Sequence, residues 1–211
     1  LKGQLPKGSH ARDVGFMLAH GFATGRRTLK HDYRVIEFGG PGLAKLELAA
    51  RVALCNSVTE MGVANVLFNG PPPGINIDGA PDFLSDPGAP YEATIDFDLS
   101  SVQPQLALPG GPDRAANVVD HVGRSINHAV IGSCGSGMYQ DFVDAANMMR
   151  GRRVADGVRM FVVPGTPATA KRLADEGIAQ VFMAAGAMIL PSGCGPCAGG
   201  NMGPLGPGEV S

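Results

Sequence analysis

The chain of 211 residues has a formal charge of −2 and is 44% apolar, enough to bury a core in one or two small domains and too little net positive charge for an electrostatic grip on nucleic acid. No apolar run reaches the ~18–20 residues that span a bilayer, and no basic-then-apolar leader opens the chain. A soluble protein of the cytoplasm or an organelle matrix, working without a membrane, is the expectation.

Thirty-one glycines and seventeen prolines exceed the usual shares of about 7% and 5%. They punctuate apolar runs, which predicts many tight loops between short elements. Ser9 is placed to cap a helix from about His10 to Phe22, with Val14, Met17, Leu18 and Phe22 on one face. Residues 34–38 read as a strand, and Gly39-Gly40-Pro41-Gly42 as a forced turn. From Leu43 to about Met61 apolar positions recur at helical spacing, with Gly62 as C-cap. Asn56 and Glu60 stand four apart on one face of that helix. Residues 63–68 give a second strand, the prolines at 71–73 start a long loop to about Tyr91, and 93–99 alternate as a further strand. The proline-rich stretch 104–112 reads as an interdomain connection, so the expected domains are residues 1–103 and 104–211.

The second half is more regular. Strands are predicted at 127–133, 159–163 and 187–190, with helices at 139–150, 168–176 and near 178–185. Alternating strands and helices imply an α/β fold with parallel sheets and right-handed crossovers. Cys134 directly follows the first of these strands, and the loop Cys194-Gly195-Pro196-Cys197 follows the third. In a parallel sheet both loops emerge at the carboxyl edge, where open α/β folds hold ligands, so three thiols sixty residues apart can converge on one site. Four cysteines are too few for a disulfide scaffold, and clustered thiols in a reducing compartment are more often metal ligands or catalytic groups. A C-x-x-C loop alone also fits a redox pair or half a zinc site; zinc wants a fourth ligand, and His121 and His128 are available without any spacing that selects one. Cys55 is expected as a small buried hydrophobe, the histidines at 10, 20, 31 and 121 as surface groups, and the basic run 150–153 as a solvated helix end.

Gly132-Ser133-Cys134 followed by Cys194-Gly195-Pro196-Cys197 resembles the cluster signature of the aconitase and isopropylmalate dehydratase family. Val35-Ile36-Glu37-Phe38 before Gly40-Pro41-Gly42, Cys55-Asn56 with Glu60 and Gly62, Asp86-Pro87-Gly88-Ala89-Pro90-Tyr91 and Val163-Pro164-Gly165 extend the likeness over nearly the whole chain. The resemblance implies two α/β/α domains with mostly parallel sheets. It also implies a [4Fe–4S] cluster held by Cys134, Cys194 and Cys197, with one iron left open to substrate as a Lewis acid. Asn56 and Glu60 fall on the family's active-site Asn and Glu, while Ser136 and Thr166 stand where substrate contacts are expected. Gly135-Ser136 replaces the family's usual Thr-Asn. The family's N-terminal domain with its His and Asp residues, its Asn-Arg-rich segment and its swivelling domain have no match within residues 1–211. The implied activity is a hydro-lyase dehydrating and rehydrating a hydroxy di- or tricarboxylate, as the central portion of a large subunit that needs further domains or a small swivel-domain subunit to turn over. The other reading is a non-catalytic iron–sulfur or zinc-binding scaffold or regulator derived from that family.

Overall fold

A computed structural model of the chain describes residues 1–26, 29–75, 84–198, 203 and 205–211. It divides into two compact units, Leu1–Val122 and Gly123–Ser211.

In the first unit, helix α1 (Ala11–Ala23) and helix α2 (Leu48–Thr59) pack on a two-stranded parallel sheet of β1 (Val35–Phe38) and β2 (Asn65–Phe68), paired Val35 to Asn65 through Phe38 to Phe68. Val14 and Leu18 of α1, Leu54 and Val58 of α2, Phe38 of β1 and Val66 of β2 share one core with Leu43, Leu46 and Leu99. The periodicity that predicts α1 is the stripe that enters this core. Its cap differs from the expectation: His10 is the N-cap residue, and the Ser9 hydroxyl instead donates to the Val102 carbonyl at 3.0 Å.

The helix expected from Leu43 to Met61 is interrupted. A 3-10 turn spans Leu43–Lys45 and α2 starts at Leu48. The cause is the buried guanidinium of Arg51, which donates to the carbonyls of Leu46 (2.9 Å), Leu43 (3.1 Å) and Gly70 (2.6 Å). Those carbonyls are thereby satisfied outside a continuous helix ladder. The strand expected at 93–99 is absent as a ladder among the described residues. Asp98 makes a single parallel bridge to Lys2, and its carboxylate accepts from Ser100 N at 2.9 Å, starting a 3-10 turn at Leu99–Ser101. Residues 104–122, assigned by sequence to the second domain, belong to the first unit. There β3 (Gln105–Ala107) and β4 (Ala115–Asn117) form an antiparallel hairpin, and the Asp13 carboxylate of α1 accepts from Gln105 N at 2.9 Å. The long loop expected at 71–91 falls partly outside the described residues.

The second unit follows its predicted order. Parallel strands β5 (His128–Gly132), β6 (Arg159–Val163) and β7 (Met188–Ile189) lie in the order β5-β6-β7. The short helix α3 (Ser133–Ser136) follows β5 at once, α4 (Tyr139–Met149) links β5 to β6, and α5 (Pro167–Asp175) with α6 (Ile178–Ala184) links β6 to β7. Met160 and Val162 of β6 meet Phe142, Ala146, Leu173 and Phe182 of the helices. The alternate residues Phe161 and Val163 form a second apolar cluster with Leu190 and Val130, as the period-two alternation of a strand requires. Helices α4–α6 therefore cover one face of this sheet. The other face carries the chain that follows the C-x-x-C turn: Gly203 approaches the Phe161 ring so closely that a Cβ on it would stand 2.6 Å away, and Gly195 does the same to Val163 at 2.8 Å. This departs from the expected arrangement of helices on both faces.

Candidate functional site at the carboxyl edge of the second sheet

The end of β6, Val163-Pro164-Gly165, lies at the centre of the site because its strand is the middle one of three. On one flank the chain leaves β5 through Gly132, whose φ is +127°; a Cβ there would stand 1.9 Å from the Val163 carbonyl oxygen, so only glycine fits. Ser133 follows with φ +58°, an uncommon left-handed conformation for a non-glycine residue. It starts α3, which carries Cys134, Gly135 and Ser136. Gly165 N donates to the Gly137 carbonyl at 2.9 Å, closing this loop onto β6.

On the other flank, Leu190 N donates to Val162 O at 2.9 Å and Gly193 N to Pro164 O at 3.2 Å. These bonds carry the chain along the end of β6 into a 3-10 turn at Gly195–Ala198, where Cys197 N donates to Cys194 O at 3.2 Å. Gly195 has φ +55° and lies against Val163. A larger residue here would need both a strained backbone and a shifted Val163 side chain.

Cys134, Cys194 and Cys197 form no disulfide and are exposed, whereas Cys55 is half-buried inside α2 and burial pushes its thiol pKa up. The three exposed thiols thus stand on the two loops that flank β6. Among the described residues no three His, Cys, Asp or Glu side chains gather closely enough to hold one metal ion. A cluster makes a different demand: each thiolate binds its own iron, so the ligands stand farther apart than around a single ion. Three thiols on glycine-cradled loops fit soft iron–sulfur ligation better than a hard cation. His128, weighed from sequence as a fourth zinc ligand, is at the amino end of β5, four residue steps or about 13 Å of strand from the Gly132 end. His121 lies in a 3-10 turn, Val118–His121, of the first unit.

Thr166 is the N-cap residue of α5 at the same edge; its hydroxyl oxygen accepts from Thr169 N at 3.1 Å. Ser136 is half-buried at the end of α3. Five of the seven singled-out residues, namely Cys134, Ser136, Thr166, Cys194 and Cys197, therefore stand at or just past the ends of the three strands.

Asn56 and Glu60 belong to the first unit. Asn56 is half-buried in the last turns of α2. Glu60 is the exposed C-cap of that helix and lines an open cavity of about 300 Å³ with His31, Asp113, Ala19, Ala23 and Met61. His31, expected as a surface group, is stacked on Phe22 with ring centroids 4.6 Å apart.

Two polar centres of the first unit carried no role in the sequence reading. Arg51 is one. The other is Glu37, whose carboxylate accepts from Ser85 Oγ (2.5 Å), Tyr91 Oη (2.7 Å) and Asn69 Nδ2 (3.1 Å). The Ser85 and Tyr91 hydroxyls, more than the Asn69 amide, hold its pKa below the ordinary carboxylate value. The signal was a glutamate in the middle of an apolar strand, where an ionised side chain needs partners.

Comparison with known proteins agrees with this geometry. A profile described as the aconitase family (aconitate hydratase) matches residues 77–211. The 3-isopropylmalate dehydratase large subunit 1 of Methanopyrus kandleri is 34% identical over 99% of this chain and 50% of its own length. A 3-isopropylmalate dehydratase large subunit of Nitratidesulfovibrio vulgaris is 36% identical over 84% of the chain and 44% of its own, and the large subunit 2 of Archaeoglobus fulgidus is 33% identical over 100% and 51%. The chain spans about half the length of the curated relatives it matches.

Proposed function

Because the chain belongs to the aconitase family, we propose that it is the central portion of the large subunit of a [4Fe–4S]-dependent hydro-lyase, acting on a hydroxy di- or tricarboxylate of the 3-isopropylmalate or aconitate type. The observation that carries the reading is the presence of Cys134, Cys194 and Cys197 on the two loops flanking β6, in a sequence about one-third identical to dehydratase large subunits along its whole length.

Cys134, Cys194 and Cys197 would hold the cluster, which supplies Lewis-acid chemistry when bound. Asn56 donates its side-chain amide to a substrate carboxylate, and the Glu60 carboxylate exchanges a proton with the substrate hydroxyl. Both assignments follow the family motif and the four-residue spacing that presents the two side chains together. Ser136 hydrogen-bonds substrate beside Cys134. Thr166 contributes from the N-cap of α5, its hydroxyl oxygen accepting from Thr169 N. Burial of Cys55 raises its thiol pKa and keeps it out of the ligand set.

Further domains of the same protein or a small swivel-domain subunit complete the site and supply the carboxylate-binding arginines. Residues 1–211 alone bind a cluster and turn over nothing, since loss of general acid–base help alone costs typically ~10²–10⁴-fold. No helix among the described residues is long and apolar enough to cross a membrane, and a cytoplasmic or matrix location is part of the proposal.

Anaerobic reconstitution with iron and sulfide tests the reading. The chain should turn brown, take up close to four irons, and lose the open iron first in air. Stoichiometric zinc with no iron would leave the scaffold reading in its place.

A further inference from the structure

His128 is 1% exposed, yet it lies at the opposite end of β5 from Cys134 and belongs to none of the groups assigned above. Both its ring nitrogens are engaged. Nε2 is 2.7 Å from the Gly203 carbonyl oxygen and Nδ1 is 3.2 Å from Ser211 Oγ. A carbonyl only accepts, so Nε2 carries a proton and donates it to Gly203. The ring also lies against Phe161 of β6, centroids 5.0 Å apart, and Gly203, at φ +76°, is seated on the same Phe161 ring.

The chain after the C-x-x-C turn is therefore returned to the amino edge of the sheet and fixed there. Asn127 N and His128 N both donate to Val210 O, Val210 N donates to Asn127 Oδ1, and Glu209 pairs with Arg159 and accepts from Gly206 N. All of those anchors lie beyond Gly203. Of the described anchors at the amino edge, the His128–Gly203 bond is nearest in sequence to the cysteines. Six peptide steps join Cys197 to Gly203 and reach at most about 20–22 Å, and Gly203 stands over Phe161, in the middle of β6. The place at which Gly203 is held consequently restricts where Cys197 can stand.

We propose that His128 is a positioning residue for the C-x-x-C turn: by holding the Gly203 carbonyl on the Phe161 face of the sheet, it fixes the turn that presents Cys194 and Cys197 beside the end of β6. The proposal rests on the cluster reading for its consequence, but its geometry belongs to the polypeptide alone.

Residue-resolved amide hydrogen exchange on the metal-free chain, together with iron retention by the reconstituted chain under a chelator, tests it. A Gln amide nitrogen at 128 reaches the place of Nε2, whereas an Asn amide reaches only that of Nδ1. His128→Asn should speed exchange at the Gly193 and Cys197 amides at least tenfold and leave α4–α6 unchanged. His128→Gln should restore most of the protection. Iron loss should follow the same order, Asn variant faster than Gln variant. Equal behaviour of the two variants, or no change at Gly193 and Cys197, would overturn the proposal, because the bond to Gly203 would then not be what holds the turn.

Should both variants unfold, Gly203→Ala decides: its added Cβ clashes with the Phe161 ring and strains a backbone at φ +76°, while the His128 side chain itself is unchanged. It should loosen the turn selectively, and an unaltered turn would refute the coupling. A wild-type chain that takes up no iron would sink the cluster reading, while the exchange comparison would still test the role of His128.

Discussion

Residues 123–211 and residues 1–122 both bury an apolar core, but they hold their loops by different means. In the second unit the loops at the cysteine edge are fixed by main-chain bonds to the end of β6 and by glycines fitted against it. The core beneath is a conventional one of Phe142 and Phe182, both fully buried and edge-on to each other at 6.4 Å. In the first unit a two-stranded sheet leaves long connections without ladder partners, and single polar side chains gather them. Arg51 ties three carbonyls, Asp13 ties the α1 cap to β3, and Glu37 ties residues 69, 85 and 91. In the first unit the loss of one side chain frees a whole loop; at the cysteine edge the main-chain bonds to β6 remain, with His128 on Gly203 as the side-chain clamp proposed above.

The largest expected effect lies in the edge itself. Cys134→Ser, Cys194→Ser or Cys197→Ser should each abolish the visible absorbance of the reconstituted chain, because each removes one of three soft ligands, while Cys55→Ser should keep it. Bleaching by Cys55→Ser and not by Cys134→Ser would reverse the assignment.

Next in size, Phe182→Ala should cost about 3–5 kcal/mol and be confined to its own unit. Amides of α4 and α6 should exchange faster while those of α1 and α2 stay protected. Equal loosening of both units would show that they do not fold as separate cores.

Arg51→Met keeps most of the apolar stem but orphans carbonyls of Leu43, Leu46 and Gly70, which should cost on the order of 1–3 kcal/mol. The loss should be localised around residues 43–46 and 70, read by proteolysis at those loops. Resistance unchanged from wild type would mean that water replaces the guanidinium at no penalty.

Glu37 gives a smaller effect that depends on pH. Its folded-state pKa is depressed by Ser85 and Tyr91, so its contribution is present above the unfolded glutamate value of about 4.3 and is lost as pH falls through the lowered folded value. Urea midpoints should drop between pH 5 and 3 in the wild type, and Glu37→Gln should start lower at pH 7 and fall less over that interval. A parallel fall in both would remove Glu37 from the account. The smallest change should come from Lys171→Ala, which breaks the exposed pair with Asp175 on α5; its midpoint should stay within experimental scatter.

The regular half was legible because its signals are local. Tyr139–Met149 and Arg159–Val163 carry their periods in their own residues, and strand alternation with helices orders them along a parallel sheet. With the order known, placing Cys134 and Cys194-x-x-Cys197 at one edge needs no coordinates, since loops after parallel strands emerge on the same side. The first unit was misread where a distant group decided the outcome. Leu43–Met61 has an unbroken helical period, but Arg51 takes the carbonyls of Leu43 and Leu46 and a 3-10 turn replaces the first part of the helix. Residues 104–112 look like a linker until Gln105 N finds Asp13 from α1, ninety-two positions away.

The sequence by itself determined the strand–helix alternation and parallel pairing of the second half and the edge that carries three thiols, because those depend on the period of side chains and on which end of a parallel strand a loop leaves. Tertiary structure alone decided the role of His128, which reads as a candidate metal ligand in the sequence and is a buried clamp on Gly203 in the fold. It also decided the web around Glu37 and the anchoring of Gly203 and residues 205–211 in the second unit. The physical reason is that a polar side chain has several partners open to it in an extended chain, and burial leaves it only those that the folded backbone brings within hydrogen-bonding distance.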